Sequence, residues 1–67
     1  MNASDRQALK ERAAHLLRKA RDHGRPLSEL ATLCERSEEQ VDRYLAGINY
    51  PSPKVSARII KALGGGR

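Results

Sequence analysis

The alternation of apolar and polar residues divides the chain into four segments with helical periodicity. In the first segment the apolar residues recur three and four positions apart, so they share one side of a helix. These residues are Leu9, Ala13, Leu16, Leu17 and Ala20. Ser4 and Gln7 have the spacing of a capping box, and Gly24 is suited to a helix C-terminus. The pattern predicts a first helix over about residues 5–23.

Two shorter helices are expected next, each with its own start signal. Pro26 is suited to the first position of a second helix over about 26–35, because its missing N–H costs nothing there. Ser37, with Gln40 three residues later, repeats the capping-box spacing. It predicts a third helix over 37–46.

The last segment begins at Ser52, a favoured N-cap residue, followed by Pro53, and predicts a fourth helix over about 53–63. Residues 64–67, three of them glycines, are expected to fray. No stretch alternates with period two, so no strand is predicted. The chain is therefore expected to form one all-α, compact four-helix domain over residues 1–67. The residues of the three shorter helices expected to face inward are Leu30, Ala31, Cys34, Val41, Tyr44, Val55, Ile59, Ile60, Ala62 and Leu63.

Two short helices joined by a tight turn form a helix-turn-helix arrangement. Such an arrangement needs a small residue where the helices cross, here Ala31, and an apolar residue that sets the angle of the second helix, here Val41. With these features the chain resembles the lambda-repressor-like (Cro and repressor) family of DNA-binding domains over about residues 5–64. The residues that carry the resemblance are Leu30, Ala31, Ser37, Val41, Arg43, Gly47, Pro51, Ser52, Lys61, Ala62, Leu63 and Gly64.

The resemblance implies a function, a small sequence-specific regulator of transcription that binds double-stranded DNA, such as a bacterial or phage repressor. The helix over 37–46 would enter the major groove as the recognition helix, and a homodimer would occupy a two-fold site. The implied base-reading residues are Ser37, Glu38, Glu39, Gln40 and Arg43. The implied contacts to the DNA backbone come from Arg25, Arg36, Asn49, Tyr50 and Lys54. For Arg43 the alternative is an ion pair with Glu39, four positions earlier on the same helix.

Four features depart from the family pattern, and one of them is the local charge. The turn holds Glu35 and Arg36 where the family has glycine and then an apolar residue, so a strained or reshaped turn is expected. Leu27 stands where the family has a glutamine that contacts phosphate. We expect no fifth helix, which in the family helps dimerisation.

Charge is distributed unevenly along the chain. The net charge is +5, which suits attraction to phosphate. Residues 27–50, however, carry five acidic and two basic side chains, while each flank has a net charge of +4. The expected reading helix is therefore acidic. Glu38 and Glu39 can equally be explained as residues that stabilise the start of a helix.

The alternative function is a protein-binding adaptor or inhibitor on the same fold. The acidic helix over 37–46 and three apolar residues, Leu33, Leu45 and Ile48, would form its docking surface. Taken singly, each of these apolar residues can also fill a gap in a small core.

Several classes of function are excluded or disfavoured. The single cysteine, Cys34, rules out an intrachain disulfide and is expected in the core. No Cys/His set has metal-ligand spacing, and no nucleophile is paired with a base, so we expect no metal, no cofactor, no small-molecule substrate and no enzyme activity. No apolar run is long enough to cross a bilayer, and a cytoplasmic location is expected. Only two aromatic residues occur, which argues against single-strand and RNA binding.

Overall fold

A computed structural model describes residues 3–64 of the chain, the side chain of Ala3 excepted. Its elements are α1 (Ala3–Asp22), α2 (Leu27–Cys34), α3 (Glu38–Ala46) and α4 (Pro53–Ile59), and α4 runs into a π-helical turn over Ile60–Gly64. The described part of the chain contains no strand. The prediction of a compact all-α domain with four α-helices is confirmed.

The predicted N-caps of the third and fourth helices are confirmed. The Ser37 hydroxyl accepts a hydrogen bond from the Gln40 backbone N–H at 3.1 Å, and the Ser52 hydroxyl accepts one from the Val55 N–H at 3.3 Å. Each bond satisfies a donor that the first turn of a helix leaves without a partner. Pro53 opens α4 as predicted. Hydrogen bonds between residues three positions apart therefore determine where the third and fourth helices begin.

The other two starts differ from the prediction. α1 already includes Ala3, so Ser4 lies inside the helix and is not its cap. The Gln7 side chain donates instead to Glu11, one turn further on, at 3.1 Å. Pro26 is the N-cap of α2 and not its first residue, with extended backbone at φ −69° and ψ 150° and no side-chain cap. α2 therefore covers Leu27–Cys34 and is shorter than predicted.

The C-terminal end of α4 also departs from the prediction of one α-helix over 53–63. The helix widens at Ile60 into the π turn, which includes Gly64. A Cβ placed on Gly64 would lie 2.7 Å from Leu16 Cδ1 of α1, so glycine permits this close approach. Ala62, predicted to face inward, is exposed because the wider turn rotates it away from the core. The other residues of the expected frayed tail, 65–67, lie outside the described residues.

α1 packs against α3, α4 and the π turn, α2 packs against α3 and α4, and the core lies between them. Its buried apolar residues are Ala13, Leu17, Ala20, Leu30, Ala31, Cys34, Val41, Tyr44, Val55 and Ile59. The predicted inward positions of Cys34 and Tyr44 are confirmed. Ser56 is also fully buried, and its hydroxyl donates to the Pro51 carbonyl at 3.2 Å, which satisfies both groups.

The connection between α2 and α3 depends on one backbone conformation. Glu35 has φ 57° and ψ 42°, and among the described residues it is the one non-glycine with positive φ. This left-handed residue lets the Glu35 and Arg36 N–H groups donate to the carbonyls of Thr32 at 3.1 Å and Ala31 at 3.0 Å. The Glu35 carboxylate also pairs with Arg58 of α4 at 2.5 Å. The turn is therefore strained rather than reshaped.

The strain at Glu35 can be measured with two substitutions. Glu35→Gly and Glu35→Ala both remove the ion pair with Arg58, but only alanine keeps a Cβ in the left-handed region. We expect the glycine variant to be more stable than the alanine variant by about 1 kcal/mol. Urea denaturation followed by circular dichroism measures the difference. Equal stabilities would show that the turn does not adopt this conformation.

Candidate nucleic-acid interface

The outer face of α3 is polar and open to solvent. Val41 and Tyr44 are buried on its inner side, at 0% and 4% exposure, and so turn the opposite side outward. The exposed residues on that side are Glu38, Glu39, Asp42, Arg43 and Ala46. We refer to these five residues as the outer face. Four of the five predicted base-reading residues are exposed, and Gln40 is half-buried beside the core.

Arg43 is held on the outer face by an ion pair. Its guanidinium lies 3.4 Å from the Glu39 carboxylate, so the intrahelical pair considered as the alternative for this residue is present. Both side chains are at least half exposed, at 50% and 80%, so the pair is worth only about 0.3–0.5 kcal/mol. Arg43 can therefore leave Glu39 for a stronger acceptor at little cost.

A basic cluster lies beside the start of α3. Arg36 from the turn and Lys54 from α4, each predicted separately to contact DNA backbone, line one cavity of about 100 Å³. Arg58, one turn after Lys54 on α4, lines the same cavity. We call Arg36, Lys54 and Arg58 the basic cluster. Glu35 is the one acidic residue on the cavity wall, so the local charge is positive.

The three cations of the basic cluster are held differently. Arg36 donates to the Glu35 carbonyl at 3.0 Å, and Arg58 pairs with the Glu35 carboxylate. Lys54 has no hydrogen-bond or ion-pair partner within residues 3–64. Arg58 was missed by the sequence analysis. Its spacing of four from Lys54 on a predicted helix was the available signal.

The other three residues predicted to contact the DNA backbone lie outside the basic cluster. Arg25 is not part of the basic cluster; its guanidinium pairs with Glu29 of α2 at 2.8 Å. Asn49 is half-buried and Tyr50 is 44% exposed, and both lie on the connection between α3 and α4. The structure thus brings Arg36 and Lys54 together and leaves Arg25 apart from them.

The apolar residues of the alternative docking surface divide into two kinds. Ile48 is 72% exposed and stands directly after the C-terminal end of α3. Leu33 and Leu45 are half-buried and pack against the core. The gap-filling explanation therefore fits Leu33 and Leu45, and only Ile48 is well exposed.

Cys34 forms part of the wall of the basic-cluster cavity but is itself 1% exposed. Burial raises the pKa of its thiol above the ordinary value of 9.0, and the nearby Arg36 and Arg58 partly oppose that rise. A thiol with a raised pKa is a poor nucleophile at neutral pH. Cys34 is therefore a core residue, as predicted.

Residues 3–64 contain neither a metal-ligand group nor a membrane-spanning helix, and no relative of the chain was found. Within residues 3–64 no three His, Cys, Asp or Glu side chains come together in a way that could hold a metal ion. None of the described helices combines the length and apolar character needed to cross a membrane. Comparisons of the chain with protein-family models, curated proteins and solved structures found no match.

The burial of Cys34 predicts a specific pH dependence of stability. Below pH 9.0 the thiol is protonated in the folded and unfolded chains alike, so it causes no change with pH. Above that pH the unfolded chain loses the proton before the folded chain does, so the free energy of unfolding falls as pH rises from the unfolded pKa to the raised folded pKa.

Urea denaturation at several pH values between about 8 and 10.5 tests this dependence, with Cys34→Ala as the control that lacks the thiol. All other ionisable groups are common to the two proteins, so their contribution cancels in the difference. We expect the two stability curves to diverge above pH 9.0. Parallel curves would contradict a buried thiol.

Proposed function

We propose that this chain is a small sequence-specific, double-stranded DNA-binding regulator of transcription with a lambda-repressor-like helix-turn-helix fold. In this proposal α2, the turn and α3 are the helix-turn-helix, and α3 lies in the major groove. The observation that carries the proposal is the basic cluster. Cations from the turn and from α4 line one cavity, and one of them, Arg36, directly precedes Ser37, the N-cap of α3.

The outer face and the basic cluster have different tasks in this arrangement. Phosphate contacts supply affinity through counterion release and carry no sequence information, so they belong to the cations beside α3. Base edges offer both donors and acceptors. A carboxylate such as Glu38 can accept from the amino group of cytosine, and arginine can donate twice to guanine. Acidic residues at base-reading positions are therefore compatible with DNA binding when other residues, here the basic cluster, bind the phosphates.

The energies favour a transfer of Arg43 from Glu39 to DNA. Its surface ion pair contributes about 0.3–0.5 kcal/mol. A bidentate contact between arginine and guanine discriminates by about 1–3 kcal/mol. The difference favours the base contact. Arg43 is accordingly the proposed main determinant of sequence preference, and Glu39 holds it in place before DNA binds.

A duplex-selection experiment at physiological salt, followed by fluorescence anisotropy on the enriched sequence, tests the proposal. Arg43→Ala is expected to reduce the preference for the selected duplex by about 5- to 150-fold, as one lost base contact requires. Lys54→Ala is expected to weaken binding to all duplexes. It should also reduce the slope of log K against log salt concentration by about one.

Arg12→Ala is the matched control, because Arg12 is an exposed cation on α1 and does not line the cavity of the basic cluster. It is expected to affect binding less than Lys54→Ala. Failure to enrich any sequence at micromolar protein would count against the proposal. Equal effects of the Lys54 and Arg12 variants would show that general positive charge, and not the basic cluster, drives binding.

A second candidate is a protein-binding adaptor or inhibitor, and the acidity of the outer face favours it. Three carboxylates there accompany one arginine that is already paired, and Ile48 is exposed nearby. A basic partner with an apolar contact would match this surface. The combined change Glu38→Gln and Asp42→Asn separates the two candidates. Stronger binding to an unselected duplex means that DNA approaches the outer face, whereas unchanged weak binding favours a protein partner.

A further inference from the structure

A groove of about 330 Å³ is separate from the outer face and from the basic cluster. It lies between the C-terminal half of α1 and the π turn. We call it the α1 groove. Its lining residues are Leu16, Lys19, Ala20, His23, Arg25 and Leu63. This volume lies within the range of pockets that hold small ligands.

The groove combines an apolar floor with a basic rim. Leu16, Ala20 and Leu63 supply the apolar surface from two elements that are distant in the chain. Lys19, His23 and Arg25 supply the polar groups, and no acidic side chain lines the cavity. An occupant that matches both parts has an apolar body and a negatively charged end.

The cations of the rim differ in their availability. Arg25 is engaged with Glu29 at 2.8 Å. Lys19 and His23 have no side-chain hydrogen-bond or ion-pair partner within residues 3–64. Lys19 is therefore the cation of the rim best placed to meet an anion.

The far wall of the groove is held in place by the π turn. Gly64 approaches Leu16 of α1 so closely that a Cβ would lie 2.7 Å from its Cδ1, and the neighbouring Leu63 lines the groove. π-helical turns are rare and often occur at functional sites. The π turn after α4 therefore supplies the wall of the groove that faces α1.

From these observations we infer that the α1 groove binds a small monocarboxylate with an aliphatic or aromatic body. The carboxylate lies against Lys19 and His23, and the apolar body lies on Leu16, Ala20 and Leu63. The inference does not depend on DNA binding, because none of these residues belongs to the outer face or the basic cluster.

Decanoate is a suitable probe, and decyltrimethylammonium is the matched cation with the same apolar chain. Titration of the full chain, followed by two-dimensional NMR, is expected to show saturable binding of one decanoate. The dissociation constant should be on the order of 1 mM, as for about a dozen ligand atoms of ordinary efficiency. Shifts should concentrate at the end of α1 and in the π turn. The cationic probe should not saturate at the same concentrations.

Lys19→Gln is expected to weaken decanoate binding about tenfold, because it removes one charge-assisted contact. Lys61→Gln is the matched control, since Lys61 is exposed on the π turn and does not line the groove. It should change affinity by less than about twofold. Circular dichroism checks that both variants remain folded.

Three results would overturn the inference. Equal binding of the two probes would show that the groove binds the apolar chain whatever the charge of the ligand. Equal effects of Lys19→Gln and Lys61→Gln would remove the role of the rim. Sedimentation equilibrium that shows a dimer, made monomeric by Lys19→Gln, would assign the groove to contact between two copies of the chain.

Discussion

The outer face of α3 is available only because its inner side is held by the core. Val41 and Tyr44 of α3 belong to the same buried cluster as Leu30, Ala31 and Cys34 of α2. A helix of nine residues is not stable in water by itself, so α3 exists because this packing supports it. The residues that cannot be buried, above all the three carboxylates and Arg43, are consequently presented outward as one surface.

Glu35 links this packing to the basic cluster. Its left-handed backbone closes the turn between α2 and α3, at a cost of about 1 kcal/mol for a residue with a Cβ. Its carboxylate pairs with Arg58 and thereby ties the turn to α4. The residue that carries the strain therefore also contacts Arg36 and Arg58, two of the three members of the basic cluster. A glycine there would relieve the backbone but would leave Arg58 without its counter-ion.

The sequence predicts those features that depend on neighbours within a few positions. The caps at Ser37 and Ser52 and the Arg43–Glu39 pair span three or four residues, so helical spacing alone indicates them. The predicted start of α1 was wrong because Ser4, although a favoured N-cap residue, lies at a position that the helix already includes.

Features that depend on contacts across the fold could not be predicted. The π turn at Ile60–Gly64 is accompanied by close packing of Gly64 on Leu16, which a local pattern does not contain. Arg36 and Lys54 were each indicated as backbone contacts, but their common cavity and the addition of Arg58 follow from the way α4 packs beside the turn. The α1 groove likewise joins residues from opposite ends of the chain.

We propose that the outer face and the basic cluster form one nucleic-acid interface. A titration of isotope-labelled protein with its selected duplex, followed by NMR chemical shifts residue by residue, tests this claim most directly. The account predicts that the largest changes occur together at residues 36–43 and at Lys54 and Arg58. Changes confined to other surfaces, or no changes at saturating duplex, would contradict it.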